Sequence, residues 1–455
     1  MPPRARELDV WMNGERVGRW FANRQGTPVF QYTDEWLRSP RVRPLSLSLP
    51  IVPGNEPHTG DRVVAWFDNL LPDSTAIRER IRSRFRAESA QAFDLLAAIG
   101  RDCVGAVQII PEGESPGDVR RIEAQPISDA DVARLLRGVT SQDVAGTYDY
   151  LHQFRISLAG AQEKFALTRI GEQWYQPHGA TPTTHILKLP LGLVGNMRSN
   201  MRDSVENEWL CMRLLGEWGL PVARTEIGTF ADAVSEEKVL VVERFDRERI
   251  PPTGIDPEWI LRLPQEDFCQ ATGTPAWRKY ESDGGPGILA CMGLVQAGEQ
   301  PTLDSLVFAK AQLAFWLLAA PDGHAKNFSI FLRRDGYVMT PLYDVLSAWP
   351  IVGGGANELA EQKVTLAMAL RGKRPHRHIR RITAQHWRQL AARTGAPDAF
   401  DQMIALVEAT ESVLSRVDDQ LPAPFPPYVR DRVASGVRKQ RAHFMNGLGS
   451  RADVT

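Results

Sequence analysis

Residues 321–328 read PDGHAKNF and follow directly on SLVFAKAQLAFWLLAA (305–320), the most apolar stretch of the chain. That stretch is shorter than the roughly 20 apolar residues of a membrane span and contains a lysine and a glutamine, so it predicts a buried core helix. The segment after it separates Asp322 and Asn327 by four residues. The catalytic loop of protein kinases uses the same spacing, with the aspartate as proton acceptor and the asparagine as a magnesium ligand.

This spacing alone is weak evidence, because D-x4-N arises by chance about once in a chain of this length and a capped turn after a helix also explains it. A second carboxylate strengthens the kinase interpretation. The sequence SIFLRRDGYVM (329–339) predicts a hairpin that turns at Asp335-Gly336 and delivers Asp344 seventeen residues after Asn327. Mg²⁺ prefers oxygen ligands, usually one or two carboxylates with phosphate oxygens and water. The alternative for Asp344 is a strand-end cap.

Upstream, a lysine interrupts the apolar strand HILKLP (185–190). Buried lysines are rare unless they are paired, and Glu208 on the following helix is the preferred partner of Lys188, ahead of Glu206. A strand lysine that touches ATP phosphates and pairs with a helix glutamate is the protein-kinase arrangement. The alternative is that Lys188 snorkels at a strand edge.

Two further segments fit the same order. In SLAGAQEK (157–164) a glycine flanked by alanines allows close approach of the backbone to a phosphate, although the segment matches neither G-x-G-x-x-G nor a Walker motif. In VVERFDR (241–247) the end of an apolar strand predicts an inter-lobe segment whose backbone reads adenine. Glycine loop, lysine strand, acidic helix, inter-lobe strand, D-x4-N loop and final aspartate follow one another in kinase order. That order is the strongest argument from the residues.

Composition limits the class of protein. The chain has 455 residues, 43% of them hydrophobic, and a net charge of −1, which is typical of a multidomain globular protein and unlike a polybasic nucleic-acid coat. The amino terminus lacks the apolar core of a secretory signal. The four cysteines form no CxxC pair and lie at no metal-ligand spacing, so they predict reduced core thiols and a cytoplasmic location without membrane association.

The pattern along the chain predicts an α+β protein with a kinase-like two-lobed fold. A small N-terminal α+β part, a β-rich N-lobe and a mostly helical C-lobe are expected. The predicted boundaries are 1–110 for the N-terminal subdomain, 111–150 for a connector, 151–245 for the N-lobe, 246–447 for the helical lobe and 448–455 for a tail.

Several local patterns predict individual elements. Asn13-Gly14 predicts a hairpin, and the strict alternation in PLSLSLPI (44–51) predicts a half-buried strand. Ser74 is a predicted N-cap, and DSVENEWLCMRLLGEWGL (203–220) predicts an amphipathic helix. Residues 401–419 predict one further helix.

At this point the chain resembles a known family, the HipA toxins, which are bacterial serine/threonine kinases of toxin–antitoxin modules. The resemblance spans nearly the whole chain and is expected to be close to the type member. It rests on shared strings: WMNGERVG, RPLSLSLP, FDNLLPDS, FDLLAAIGRDCVGAV, FRISLAGAQEK, TPTTHILKLP, VERFDR, LPQEDFCQ, KYESDGGPG, DGHAKNFS and LYDVLSAWP.

The resemblance implies an ATP- and Mg²⁺-dependent kinase with roles for residues at matching positions. Asp322 would be the catalytic base, and Asn327 and Asp344 would hold Mg²⁺. Lys188 would contact the ATP phosphates. The remaining implied nucleotide contacts come from the phosphate loop, the inter-lobe strand and the catalytic loop: Ala159, Gly160, Ala161, Gln162, Glu163, Lys164, Glu243, Arg244, Phe245, His324, Ala325, Lys326 and Tyr343.

The resemblance also implies regulation. Ser157 would be the autophosphorylation site, where a phosphate adds about −1.5 to −2 charges beside the nucleotide and expels the loop. One departure is Pro321, where a small polar residue is expected. Proline fixes φ and lacks an N–H, which bears on the rate rather than on the identity of the base.

The implied partners are a helix-turn-helix antitoxin (HipB-like) and, as substrate, an aminoacyl-tRNA synthetase similar to glutamyl-tRNA synthetase. The basic stretch RGKRPHRHIRR (371–381) is a candidate contact for operator DNA, and its alternative is a solvated loop and helix start. Two other functions remain open at this stage. One is a small-molecule or lipid kinase, and the other is a pseudokinase that only binds and co-represses.

Overall fold

The computed structural model describes residues 7–140, 162, 164–194, 199–254, 257–372 and 374–449. The protein is α+β, as predicted, and none of its described helices is long and apolar enough to cross a membrane. Contacts divide the chain into two compact units. The first unit comprises Met1–Leu189, Gly228–Trp277 and Ile330–Tyr337, and the second comprises Pro190–Ile227, Arg278–Ser329 and Val338–Thr455.

The strands of the described residues follow one another along the whole chain. They are β1 (Glu7–Met12), β2 (Glu15–Ala22), β3 (Pro28–Tyr32), β4 (His58–Thr59), β5 (Val107–Pro111), β6 (Ala124–Pro126), β7 (Lys164–Ile170), β8 (Gln173–Pro177), β9 (His185–Lys188), β10 (Gly192–Val194), β11 (Ser199–Met201), β12 (Thr225–Ala231), β13 (Glu236–Glu243), β14 (Arg247–Ile250), β15 (Trp259–Arg262), β16 (Gln265–Asp267), β17 (Ser329–Leu332), β18 (Tyr337–Met339), β19 (Thr365–Arg371) and β20 (Pro375–His378).

The α-helices of the described residues are also distributed along the whole chain. They are α1 (Asp34–Arg38), α2 (Asp61–Asp68), α3 (Thr75–Phe85), α4 (Ala92–Ile99), α5 (Asp129–Thr140), α6 (Ser204–Glu217), α7 (Phe268–Thr272), α8 (Ile288–Gln296), α9 (Pro301–Leu318), α10 (Ala384–Ala391), α11 (Ala399–Glu408), α12 (Thr410–Asp418) and α13 (Pro427–Gly449).

The N-terminal part is a five-stranded sheet in the order β4-β3-β2-β1-β5. The β1–β2 hairpin turns at Asn13 and Gly14, whose φ angles of 46° and 85° are the left-handed values that an Asn-Gly turn provides. Helices α2 and α4 cover the sheet, and Trp20 stacks on Phe67 with ring centroids 3.9 Å apart. Ser74 caps α3 through its side chain, as predicted.

The prediction of a strand at 44–51 is wrong. These residues form a turn in which Ser46 and Leu49 make one isolated bridge, and Leu45 and Leu49 are both buried at a spacing of four. The hydroxyl of Ser48 donates to the carbonyl of Gln270 at 2.7 Å, and the hydroxyls of Ser46 and Ser48 lie 2.9 Å apart. Serines that look solvent-facing by alternation are therefore satisfied inside the protein, which removes the reason for a strand.

A six-stranded sheet in the order β12-β13-β9-β7-β8-β6 forms the predicted β-rich part. Strand β9 is central and pairs antiparallel with both β13 and β7. Its neighbours supply a core of large apolar side chains that includes Leu167, Leu187 and Val241. The sheet therefore surrounds β9 with apolar strands on both sides.

The second unit is mostly helical. Helix α9 is the predicted core helix, with buried residues around its whole circumference. Helix α6 differs from the amphipathic prediction, because nearly all of its residues from Ser204 to Leu215 are buried. Residues 401–419 form two helices, α11 and α12, that meet at Ala409, rather than one. The four cysteines are free and buried, as predicted.

Candidate active site

Helix α9 ends at Ala319, whose backbone is in the left-handed conformation, and the loop that carries Asp322 follows. Ala319 has a φ of 48°, and its N–H closes the last turn of the helix on the carbonyl of Trp316. The loop then tightens, because the carbonyl of Asp322 accepts from the N–H of His324 at 2.8 Å. The carboxylate of Asp322 is 52% exposed, so it faces solvent from a firmly held backbone.

The side chain of Asn327 joins the two predicted ends of the site. Its amide nitrogen donates to the carbonyl of Asp322 at 2.7 Å and to the carbonyl of Asp344 at 3.3 Å. Because the nitrogen is engaged, the amide oxygen is the end of Asn327 that remains to accept or to ligate. One amide thus holds the backbones of Asp322 and Asp344 together, and the convergence of the three side chains around a phosphate stays a prediction.

Asp344 adopts a left-handed backbone with a φ of 60°, which non-glycine residues rarely do. Such conformations concentrate at functional sites, where the surrounding structure holds them. The hairpin of β17 and β18 precedes this residue, as predicted from Asp335-Gly336. Asp344 is therefore fixed by its context rather than by its own conformational preference.

The donor set fits Mg²⁺ on its chemistry. Asp344 carries a carboxylate and Asn327 an amide oxygen, and Mg²⁺ usually takes one or two protein oxygens together with phosphate oxygens and water. Within the described residues, no group of three or more His, Cys, Asp or Glu side chains could hold a metal by itself. Two protein oxygens would leave the other positions of an octahedral Mg²⁺ ion to phosphate oxygens and water.

The other catalytic-loop residues predicted to line the nucleotide site are largely buried. His324 and Lys326 are 3% and 6% exposed, and Ala325 is fully buried. The hydroxyl of Tyr343 lies 2.6 Å from that of Ser329 and donates to the carbonyl of Lys326 at 2.8 Å. These contacts of Tyr343 hold the loop in place. That the side chains also contact a nucleotide stays a prediction.

Two contacts of the site were not predicted from the sequence. Asn207 on α6 accepts from the N–H of Ser347 at 3.1 Å and donates to its carbonyl at 2.8 Å, so it fixes the chain just after Asp344. The hydroxyl of Tyr280 donates to Oδ1 of Asp322. Tyr280 lies within KYESDGGPG, but that string gave no local signal for a contact 42 residues further along the chain.

Lys188 lies in the first unit, in the interior of its sheet. It is 4% exposed on β9, and its backbone partners are Lys164 on β7 and Leu240 on β13. Because β9 is a central strand, the alternative of a lysine that snorkels at a strand edge is wrong. Glu206 and Glu208 are buried on α6 in the second unit, and the Lys188–Glu208 pair stays a prediction.

Most of the predicted phosphate loop lies outside the described residues. This holds for Ser157, Ala159, Gly160, Ala161 and Glu163.

The two described members of that loop are placed. Gln162 donates from its amide to the carbonyl of Leu189, and Lys164 begins β7. Gln162 therefore contacts the residue that follows Lys188, and Lys164 pairs with Lys188 across the sheet.

The predicted inter-lobe strand enters a buried ion cluster. The guanidinium of Arg244 donates to Asp246, to Thr183 and to the carbonyl of Cys103 at 2.8–3.0 Å. Its side chain is thus committed to the protein, and its backbone N–H donates to the carbonyl of Thr184 at 2.9 Å, so a contact of this strand with an adenine stays a prediction. Glu243 is exposed, and Phe245 packs edge-on against Phe331 with ring centroids 5.8 Å apart.

The cluster around Arg244 contains three guanidinium groups and two carboxylates, all nearly inaccessible to water. Arg247 and Arg262 both donate to Oδ1 of Asp102, at 2.9 and 3.2 Å. Burial alone raises the pKa of Asp102, but the three guanidinium groups outweigh it and hold that pKa well below its usual range. Because both carboxylates are paired with buried guanidinium groups, the removal of one partner is expected to destabilise the fold.

Comparison with known proteins places the chain in a family. The model described as HipA N-terminal domain matches residues 8–110, and the model described as HipA-like C-terminal domain matches residues 156–417. The chain is 33% identical over 420 residues to the Sinorhizobium fredii protein named "Putative kinase Y4mE", covering 90% of this chain and 92% of that protein. These matches show that the chain belongs to the HipA family.

A curated protein and a solved structure, both from Shewanella oneidensis, extend the comparison. The serine/threonine-protein kinase toxin HipA is 30% identical over 337 residues, which cover 70% of each chain. The solved complex of HipA, HipB and operator DNA contains a chain that matches with a TM-score of 0.76 and 23% identity, covering 98% of this chain and 100% of that one. The fold is therefore that of HipA, while identities of 23–33% are lower than the expected closeness to the type member.

Proposed function

We propose that this protein is an ATP- and Mg²⁺-dependent serine/threonine protein kinase of a toxin–antitoxin module, acting in the cytoplasm. The observation that carries the proposal is the amide of Asn327, which ties the backbones of Asp322 and Asp344 together. It joins the backbone of Asp322, whose carboxylate is 52% exposed, to that of Asp344, and both Asn327 and Asp344 carry oxygens of the kind that bind metals. Phosphoryl transfer requires this kind of positioning more than it requires covalent chemistry.

Each residue then has a physical role. Asp322 accepts the proton of the acceptor hydroxyl and orients its oxygen for attack. Asp344 and the amide oxygen of Asn327 would hold Mg²⁺, which offsets negative charge on the transferring phosphate when bound. Lys188, a buried cation on a central strand, is assigned to the ATP phosphates. The loop from Ala159 to Lys164 cradles the phosphates through its backbone amides.

The proposed outcome is growth arrest. Phosphorylation of an aminoacyl-tRNA synthetase, of the glutamyl-tRNA synthetase kind, would block tRNA charging and mimic amino-acid starvation. Phosphorylation of Ser157 would place about −1.5 to −2 charges beside the nucleotide and switch the kinase off. The family membership and the serine/threonine-protein kinase name of the Shewanella relative support this reading.

We also propose that the protein co-represses its operon with a helix-turn-helix antitoxin. The HipA relative of known structure was solved with HipB and operator DNA, which supports such partners here. In the basic stretch 371–381, Arg371 and Arg377 are engaged by Glu281. Arg374, Arg380 and Arg381 are exposed and have no carboxylate partner among the described residues, so they are the candidate phosphate contacts.

A decisive experiment expresses the chain with and without the neighbouring small open reading frame and incubates the purified protein with [γ-³²P]ATP and Mg²⁺. Wild type should label itself at Ser157 and arrest growth, and Asp322→Asn should lose transfer by at least about a thousandfold while it still binds ATP. Asp335→Asn is a matched control, since Asp335 is 92% exposed on the hairpin turn.

The outcomes separate the alternatives. ATP binding without any transfer by wild type would favour the pseudokinase co-repressor. Transfer only to small hydroxyl compounds, with no new phosphosite found by mass spectrometry of the cell's proteins, would favour a small-molecule kinase. Equal labelling by wild type and Asp322→Asn would remove Asp322 as the base.

A further inference from the structure

The carboxylate of Asp322 is held asymmetrically by its neighbours. Its Oδ1 accepts a hydrogen bond from the hydroxyl of Tyr280, and Nε2 of His324 lies 3.5 Å from the same oxygen. Its Oδ2 receives no hydrogen bond from any residue that the structure describes. One oxygen is therefore anchored, while the other has no hydrogen-bond partner among the described residues in a side chain that is 52% exposed.

Tyr280 itself has little freedom. Its ring meets the His324 ring edge-on with centroids 4.8 Å apart, and the ammonium of Lys279 lies 5.5 Å from the ring centroid. His324 is buried, so the contact fixes the ring against the catalytic loop. The direction of the phenol hydroxyl is thus set by packing as well as by its hydrogen bond.

The next residue pins the same loop to β19. Glu281 is 8% exposed and accepts from the N–H of Ala369 at 2.6 Å and from Arg371 at 2.8 Å. The chain folds back so tightly that a Cβ at Gly285 would lie 1.9 Å from the carbonyl oxygen of Arg278. A loop tied at Glu281 and closed this tightly at Gly285 holds Tyr280 in one place.

From this geometry we infer that Tyr280 is a positioning residue for the proton-accepting carboxylate. By occupying Oδ1 it stops the Asp322 side chain from rotating and presents Oδ2 to the acceptor hydroxyl. The inference rests on the proposed function, because it requires Asp322 to be the base. It gives the KYESDGGPG segment a role in the phosphoryl-transfer step that its sequence does not indicate.

A phenol beside a catalytic base has a second chemical possibility, namely that Tyr280 is itself a phosphate acceptor. An acceptor must approach and then leave the base carrying a bulky dianion, which needs a loop that moves. The ties at Glu281 and the tight approach at Gly285 oppose such movement. The two readings differ in whether Tyr280 ever carries phosphate.

The test compares full-length wild type with Tyr280→Phe, which keeps the ring on His324 and removes only the hydroxyl. We expect single-turnover self-labelling from [γ-³²P]ATP to fall about 10- to 100-fold, while the concentration of Mg·ATP that gives half-maximal rate changes less than twofold. A merely structural role would not separate these two quantities. Incorporation of 3-fluorotyrosine at position 280 retains the donor and should keep the rate within about threefold of wild type.

Tyr428→Phe is the matched control. The Tyr428 hydroxyl also donates to an aspartate, Asp203, and its side chain is partly exposed as well. This variant should label itself at the wild-type rate, and circular dichroism should give both phenylalanine variants the wild-type melting temperature to within about 2 °C.

Three results would overturn the inference. Wild-type kinetics for Tyr280→Phe, in a protein in which Asp322→Asn is inactive, would remove the positioning role and leave the kinase proposal intact. Phosphate found on Tyr280 by mass spectrometry would make it an acceptor. A wild-type protein that transfers no phosphate at all would overturn both proposals together.

Discussion

Two polar clusters of this protein differ in how far their charged side chains are exposed to water. Around Asp102 every carboxylate oxygen is paired, and the charged side chains are at most 7% exposed. Around Asp322 the backbone is equally well hydrogen-bonded, but the carboxylate is 52% exposed and offers one oxygen outward. The comparison teaches that density of polar contacts does not mark a reactive site. We expect a reactive site to carry an exposed group with an unpaired oxygen on a well hydrogen-bonded backbone, as at Asp322.

We call Asp322, Asn327 and Asp344 the open cluster. The largest effect on the rate of self-labelling should follow from removing a charge there. Asp344→Asn keeps the shape and tolerates the left-handed backbone at φ 60°, because asparagine adopts that conformation more readily than most residues. Self-labelling should fall about a thousandfold, since a metal contributes several kcal/mol to stabilising the transferring phosphate. A titration of the labelling rate against Mg²⁺ should show a midpoint at much higher concentration.

An unchanged Mg²⁺ midpoint for Asp344→Asn would show that Asp344 is not a metal ligand. Asp335→Asn again provides the control, because Asp335 lies in the same hairpin segment and only approaches Arg334, at 4.0 Å, on the exposed turn.

We call Asp102, Asp246, Arg244, Arg247 and Arg262 the closed cluster. A substitution there should change the stability of the protein rather than the rate of phosphotransfer. Asp102→Asn leaves Arg244, Arg247 and Arg262 buried with one carboxylate fewer, and the free energy of unfolding should drop by about 3 kcal/mol. Urea unfolding followed by tryptophan fluorescence measures the change. Phosphotransfer per folded molecule should stay near the wild-type value. A variant with full stability and lost activity would reverse the assignment of the two clusters.

Sequence reasoning reached the open cluster because its signals are local. Asp322, Asn327 and Asp344 lie on one loop–hairpin–loop stretch, so their spacing carries information about their geometry. Lys188 was recognisable for a similar reason, as a single charge inside an apolar strand, and it is buried on a central strand. Short-range patterns therefore predict short-range structure well.

The remaining contacts depend on residues far apart in the chain. The bond from Tyr280 to Asp322 spans 42 residues, and the turn at Ser46 and Ser48 is set by a carbonyl 222 positions away from Ser48. Alternation at 44–51 predicted a strand because periodicity cannot reveal a partner that only the folded chain supplies. The fold class followed from the sequence, whereas the supports of the site required the structure.

The buried carboxyl of Glu266 should make the stability of the protein depend on pH. This fully buried carboxyl accepts from the N–H of Leu47 at 2.9 Å and from the indole of Trp66 at 3.1 Å, and burial raises its pKa to about 8 from an ordinary 4.5. Between those pH values the folded state binds the extra proton. The free energy of unfolding should therefore decrease as the pH rises from about 4.5 to 8, by about 1.4 kcal/mol from this group for each pH unit in that range.

The measurement is urea unfolding of wild type and Glu266→Gln at pH 5 and pH 9. Glu266→Gln cannot ionise, so the difference in stability between the two pH values should be smaller for it than for wild type. Identical pH dependence in both proteins would show that Glu266 is already ionised in the folded state near pH 5.

The smallest effect is expected for an ion pair with excellent geometry but free access to water. Arg416 donates to Glu217 at 2.6 Å, and Gln420 adds a second bond to the same carboxylate. Arg416 is nevertheless 49% exposed, so solvent screens the pair and Arg416→Ala should lower the free energy of unfolding by less than about 1 kcal/mol. Thermal unfolding of Arg416→Ala and Asp102→Asn, measured side by side, tests whether burial or contact distance sets the energy of an ion pair. If the surface pair costs as much as the buried one, the contrast between closed and open clusters fails, because contact distance alone would then set the energy.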